Sequence, residues 1–293
     1  MADLQPTNKY PAVLAPLSRV SLRVRALFEG KEIGTATGFT YLTEGGMFFL
    51  TNWHVVTGRS PTTGKTIHPM AAIPDELIVG LPFRRIANSE RSVMWWQDGT
   101  IRLYKDAERK LPTWFEHPAY GEKVDVVAIP FGFEGEHLDF VPANDASLKL
   151  QPVVLFPSLS VYVLGFPLGL SGGASLPIWK HATIASEPEF DLAPEPEKAP
   201  EAKLPMIYID TATKQGMSGA PVFVNEVGSW IRQKEDGSRV HQLDGIGRKL
   251  VGVYASRIHA DNEMEAQLGI VWKAETIEEI IAGGRVGRSS FPA

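Results

Sequence analysis

An all-β chain, built from packed antiparallel sheets or barrels and finished by a C-terminal helix, is the fold class this sequence predicts. Short apolar runs bounded by Gly, Pro and Asn recur along its 293 residues, and one region alone carries helical spacing. Strands do not alternate with helices, which argues against a parallel α/β sheet.

The first strand is legible at Val20, Leu22, Val24 and Ala26, which alternate with Arg19, Ser21, Arg23 and Arg25. This period of two marks a strand with one buried face. The runs "GFTYL", "MFFLTN", "ELIVGL", "RSVMWW", "TIRLYK" and "VDVVAIP" follow, and then "VYVLGF", "MIYID", "APVFV", "LVGVYA" and "GIVW". Trp95 and Trp96 in "VMWWQDG" read as barrel-core residues. In "AETIEEIIAGG", positions 274–284, Ile277, Ile280 and Ile281 share a helical face, and Gly283 and Gly284 supply a stop. Two stretches look like insertions. Residues 187–203 are rich in proline and acidic side chains, so an exposed loop is expected. Residues 225–249 are polar and contain Asp236-Gly237, the signal of a protruding hairpin between two core strands.

Composition narrows the function. With 44% hydrophobic and 22% charged residues the chain is an ordinary globular one. Its net charge of -5 offers no basic patch for phosphates, so nucleic acid is not an expected partner. The absence of cysteine excludes disulfides, thiol catalysis and Cys-ligated zinc, and it suits a reducing cytoplasm. Neither a signal-like N-terminus nor a membrane-length apolar run occurs, so a soluble cytoplasmic protein is expected. The histidines at 54, 68, 117, 137, 181, 241 and 259 lack ligand spacing, so no metal and no cofactor is expected.

Three segments carry candidate chemistry. "MFFLTNWHVV" places His54 at the exposed end of a strand. "HPAYGEKVDVVAIP" sets Asp125 in an apolar strand, where an unpaired carboxylate costs several kcal/mol. Asp125 is therefore either a turn or edge residue at the strand start or the acceptor of a histidine hydrogen bond. "IYIDTATKQGMSGAPVFV" puts Ser218 after a glycine turn, where the N–H groups of Gly216 and Ser218 can converge on one point. A second glycine-flanked serine, Ser171 in "GLSGGA", follows Asp125 too closely for the intervening strands a nucleophile needs, and reads as part of a surface loop.

Taken in order, "TGF…FFLTNWHVV", "HPAYGEKVDVVAIP" and "DTATKQGMSGAPVF", with "LGFPLG" before the serine and "LVGVYAS" after it, resemble the motifs of trypsin-like (chymotrypsin-fold) serine peptidases. The bacterial branch that includes the HtrA (Deg) proteases is the nearest in pattern. The resemblance implies two antiparallel β-barrels: an extension at 1–17, a first barrel at 18–150 and a second at 151–293. It implies Ser218 as nucleophile, His54 as proton shuttle, Asp125 as the group that orients it, and the Gly216 and Ser218 amides as oxyanion donors. Catalysis should then weaken in acid, because a protonated imidazole cannot accept the serine proton. Peptide or protein substrates follow. The implied substrate pocket comprises Ala212, Thr213, Gln215, Tyr254, Ala255, Ser256 and Gly269. Ala212 occupies the place of a charge-reading aspartate, which points to small or medium apolar side chains at the cleaved bond.

The sequence departs from the family pattern at two places. Ala220 replaces the second glycine after the serine, which raises the question of how tightly the chain packs behind it. Met217 stands where digestive relatives carry the aspartate that receives a freed amine, so control by a partner or by the 187–203 loop is expected in place of amine insertion. Asp210 reads as a strand-end cap. Neither serine loop has the Gly-x-Ser-x-Gly context of an α/β hydrolase. The alternative from another class is a catalytically inactive binding or scaffold module on the same fold.

Overall fold

The computed structural model describes residues 9–11, 13–133, 135–194, 201–257 and 267–291. Strands β1 (Lys9–Pro11), β2 (Ser21–Phe28), β3 (Lys31–Thr43), β4 (Gly46–Thr51), β5 (Glu76–Ile86), β6 (Arg91–Arg102), β7 (Phe115–Glu116) and β8 (Val127–Pro130) form most of a nine-stranded sheet. Its order is β1-β6-β5-β2-β3-β4-β8-β7-β17, the last strand, β17 (Arg285–Val286), coming from the far end of the chain. Five strand intervals separate β6 from β8, roughly 24 Å in a flat sheet at the usual inter-strand spacing. Yet Ile101 of β6 shares a core with Val127 and Ile129 of β8. Phe133, just past β8, lies so near Gly99 that a Cβ there would meet its ring at 2.7 Å. The sheet is therefore coiled round one core, as a barrel is.

The second half is a closed six-stranded barrel of β9 (Ser160–Gly165), β10 (Ile178–Ile184), β11 (Met206–Asp210), β12 (Pro221–Val227), β15 (Ile246–Arg257) and β16 (Leu268–Lys273). The all-β expectation is met, with the helix where the isoleucine spacing put it. Helix α2 (Glu275–Gly283) ends on Gly284 in the left-handed conformation, whose N–H donates to the Ile280 carbonyl. The polar 225–249 stretch forms the expected hairpin, β13 (Trp230–Gln233) and β14 (Arg239–Gln242), between the paired core strands β12 and β15. Of the acidic 187–203 stretch, Leu192 is bridged to Leu204 just beyond it, and residues 195–200 lie outside the described ones.

Three apolar cores hold the molecule. One fills each half. A third lies between them, where Phe39, Leu50 and Val126 meet Leu164, Phe223 and Trp272, with Ile277 and Ile280 of α2. Burying a side chain of this size contributes about 1.5–3 kcal/mol. The C-terminal helix is also tied back by polar contacts. The Tyr41 hydroxyl donates to Glu278 Oε1 at 2.7 Å, and His117 Nε2 lies 2.7 Å from Glu279 Oε2. Burial, reinforced by the Glu278 carboxylate, pushes the Tyr41 phenol well above its ordinary value.

Two elements differ from the sequence expectation. A five-residue helix, α1 (Trp53–Thr57), follows β4, so His54 stands on a helical turn and not on the strand end. Trp95 and Trp96 are half-buried, and Trp95 stacks on Phe83 with ring centroids 5.6 Å apart. As successive residues of β6 they point to opposite faces of the sheet, and neither belongs to the coiled core.

Gly38 sits where β3 must let Phe49 lie across it: a Cβ there would meet the ring at 2.1 Å. Phe49 is fully buried and cannot swing into solvent. Gly38→Ala is expected to lower the unfolding free energy by about 1–3 kcal/mol, the usual cost of overpacking. Urea denaturation measures it, and an unchanged midpoint contradicts the account.

Candidate active site

Asp125 lies at the apex of a three-residue turn closed by the Val126 N–H donating to the Val124 carbonyl at 2.8 Å. β8 begins two residues later, so Asp125 precedes the strand and does not interrupt it. The flanking valines are fully buried in the core between the halves, which leaves the carboxylate facing α1. The His54 N–H donates to Asp125 Oδ1 at 2.9 Å, and His54 Nδ1 lies 2.7 Å from Oδ2. Asn52 Nδ2 donates to the Asp125 main-chain carbonyl at 2.6 Å. The aspartate side chain is 3% exposed and the histidine 17%. With a carboxylate accepting at Nδ1, the ring carries its hydrogen there, and the Nε2 lone pair is left for the cleft.

Ser218 sits on the turn between β11 and β12. Gly219, with φ +83°, bends the chain just beyond it, and a Cβ there would meet the Thr37 carbonyl oxygen at 2.2 Å. Only glycine fits this position. Thr37 of β3 grips the turn from the first half of the molecule. Its N–H donates to the Ser218 carbonyl at 2.9 Å, and its hydroxyl donates to the Gly216 carbonyl at 2.8 Å. On the other flank the Leu168 N–H donates to the Gln215 carbonyl at 2.6 Å. A peptide unit is planar and trans, so fixing the Gln215 carbonyl toward Leu168 aims the Gly216 N–H the opposite way. The Met217 carbonyl accepts from the Ala220 N–H at 2.9 Å, which fixes the peptide carrying the Ser218 N–H in the same manner. Neither N–H donates to any of the described residues. An oxyanion in front of both would accept two hydrogen bonds, and losing one such donor costs a reaction about 3 kcal/mol.

His54 and Ser218 both line one cleft of about 550 Å³ between the two halves. No hydrogen bond joins them. The Ser218 hydroxyl donates instead to the Ala255 carbonyl at 3.0 Å. The question raised by Ala220 has a packing answer: its methyl faces Gly165 of β9, where an added Cβ would stand 3.1 Å from it. Met217 is fully buried in the barrel core, where no carboxylate takes its place.

Of the predicted pocket residues, Gln215, Tyr254 and Ser256 line the cleft, whereas Ala212, Thr213, Ala255 and Gly269 do not. Ala212 is exposed, and Thr213 and Ala255 are buried. Ser171 is exposed on a loop next to the 166–169 turn that braces Gly216. Asp210 is the exposed last residue of β11. Three residues the sequence reading passed over matter here: Asn52, Thr37 and Leu168. Asn52 had a signal in its place two residues before the histidine. Leu168 had one in the "FPLG" turn, and Thr37 had one as the first residue of "TGF".

No family model matches the chain, and no curated protein matches it. Solved structures do. The Rv3671c protease of M. tuberculosis in its active form is 18% identical with a TM-score of 0.45, over 94% of this chain and 84% of that one. The serine endoprotease of Yersinia pestis is 14% identical with a TM-score of 0.44, over 92% of this chain and 65% of that one. Protease Anisep of Arthrobacter nicotinovorans is 13% identical with a TM-score of 0.46, over 89% and 93%. Among the described residues, no helix is long and apolar enough to cross a membrane.

Thr37→Val keeps the side-chain shape but removes the hydroxyl that donates to Gly216 and accepts from the Phe166 N–H at 3.2 Å. Two buried main-chain groups lose their partner. The expected loss is about 1–3 kcal/mol of unfolding free energy. Thermal melts of the two proteins check this, and equal stability would show that the grip on the turn lies elsewhere.

Proposed function

We propose that the chain is a serine endopeptidase that hydrolyses peptide bonds through a covalent acyl-enzyme. The observation that carries this reading is the paired arrangement of a carboxylate-held His54 and a glycine turn with two unengaged amides, both bordering one cleft. Rotation about the Ser218 Cα–Cβ bond releases its hydroxyl from the Ala255 carbonyl and turns it toward His54 Nε2. Ser218 Oγ then attacks the scissile carbonyl as its proton passes to Nε2. The Gly216 and Ser218 N–H groups receive the developing oxyanion. Collapse of the tetrahedral species breaks the C–N bond, and His54 returns the proton to the leaving amine. Water repeats the sequence on the ester with the same base. Asp125 holds the imidazole in the required tautomer throughout.

We further place this enzyme inside a bacterial cell, under control by a protein partner or by the 187–203 segment. The lack of cysteine, the motif resemblance and the absence of a carboxylate at Met217 support this. Deleting 187–203 is expected to change rate or partner dependence, and a deletion without either effect rejects the control.

The hydrogen bond from Ser218 to Ala255 favours a second reading, a non-catalytic binding module in which the serine never engages the histidine. Fluorophosphonate labelling separates the two. Labelling of the wild type that disappears in Ser218→Ala is expected of the enzyme, and an unlabelled wild type of the module. Asp125→Asn should retain the fold and lower kcat by about 10⁴-fold, through loss of the tautomer that Asp125 selects. A peptidase assay with comparable rates in the two proteins would remove Asp125 from the mechanism.

A further inference from the structure

The space beside the nucleophile where a substrate side chain would enter is occupied by the protein itself. Tyr254 lies on β15, and β15 is bulged next to Ser218: Tyr254 pairs with Val271 of β16 while Arg257 pairs with Gly269. The ring of Tyr254 crosses to Gly269, where an added Cβ would meet its Cε2 at 2.7 Å. Its hydroxyl is hydrogen-bonded to the Thr213 hydroxyl on the segment leading into the Ser218 turn. The ring thus spans three segments, 211–213, 254–257 and Gly269, and Tyr254 as a whole is 2% exposed. The cleft reaches Tyr254 and Ser256 but goes no deeper, since Thr213, Ala255 and Gly269 do not line it.

The path of a substrate follows from the edge of β15 that is unpaired among the described residues. Pairing of β15 with β12 ends at Pro221 opposite Val253, and the next main-chain groups of Tyr254 are taken by Ala220 and Gly219. Beyond them no main-chain partner of Ser256 stands among the described residues, which leaves this edge for an extended peptide to add as a strand. With its scissile carbonyl at Ser218 Oγ and the two amides, such a peptide directs the side chain preceding the bond into the space between 211–215 and β15. That is where the Tyr254 ring stands.

We propose that Tyr254 is a specificity-determining residue, a size filter that restricts the residue on the acyl side of the cleaved bond to Gly, Ala or Ser. This rests on the endopeptidase reading and sharpens it, because the small or medium apolar preference drawn from Ala212 becomes a limit set by a different residue. Ala212 is exposed and stands outside the cleft. The selecting contact is steric, so larger side chains are rejected whatever their polarity.

Two measurements test the filter separately from the chemistry. In a peptide-library digest the wild type should cut after Gly, Ala and Ser, and Tyr254→Ala should raise kcat/KM for Leu, Met and Phe relative to Ala by about tenfold or more. Tyr254→Phe keeps the ring and should keep the exclusion, and Tyr254→Val serves if the alanine variant does not fold. Independently of turnover, Ser218→Ala is titrated by NMR with acetyl-Ala-Ala-Ala and acetyl-Ala-Ala-Phe carboxylates. The phenylalanine peptide should bind about tenfold more weakly or worse, and parity should return in Ser218→Ala/Tyr254→Ala. Wild-type cleavage after bulky residues, or exclusion that persists once the ring is gone, overturns the filter. Selective binding without fluorophosphonate labelling keeps the filter and overturns the hydrolytic reading alone.

Discussion

Thr37 is the point on which the site depends. It is fully buried on a strand of the first half, and each of its polar groups is engaged. Its N–H and hydroxyl bind the Ser218 and Gly216 carbonyls, its hydroxyl accepts from Phe166, and its carbonyl accepts from the Thr51 hydroxyl at 3.0 Å. The Ser218 turn belongs to the second half, so these bonds fix one half's serine relative to the other half's histidine. In so dry a place each bond is electrostatically strong, and each unpaired group is costly. The turn has little freedom to flip its peptides while these contacts persist.

The same logic governs Asp125. A carboxylate that is 3% exposed needs donors, and His54 supplies two, from its main chain and from its ring. Asn52 then binds the aspartate's own carbonyl, so the 52–54 and 124–126 segments are joined at three points. The short helix α1 makes this possible, because it turns the His54 amide and imidazole toward the same partner. The core between the halves holds both segments, through Leu50 on one side and Val124 and Val126 on the other.

Where the backbone is pinned, side-chain volume shapes the cleft. Glycine at 165 admits the Ala220 methyl behind the serine, and glycine at 269 admits the Tyr254 ring beside it. The Ala220 methyl leaves the Ser218 turn intact, and the Tyr254 ring fills the space next to it. Position by position, the barrel trades a missing side chain on one strand for a present one on its neighbour, as close packing requires.

Local pattern was enough for the elements. Alternation at Val20 to Ala26 gave β2, isoleucine spacing gave α2, and Asp236-Gly237 gave the β13-β14 hairpin, because periods of two and 3.6 and turn chemistry are properties of neighbouring residues. The motifs around His54, Asp125 and Ser218 were legible as well, and their order set aside Ser171. The helix under His54, the place of Trp95 and Trp96 outside the coiled core, and the seating of the Tyr254 ring against Gly269 and Thr213 were not. Each depends on contacts between residues far apart in the chain: Asn52 with Asp125, Trp95 with Phe83, Tyr254 with Thr213. The sequence by itself determined the all-β class and the motifs around His54, Asp125 and Ser218 on which the proposed chemistry rests. The tertiary structure alone decided which way the Gly216 amide faces and how much room lies beside Ser218. Those follow from hydrogen bonds and excluded volume across the two halves, which no local period records.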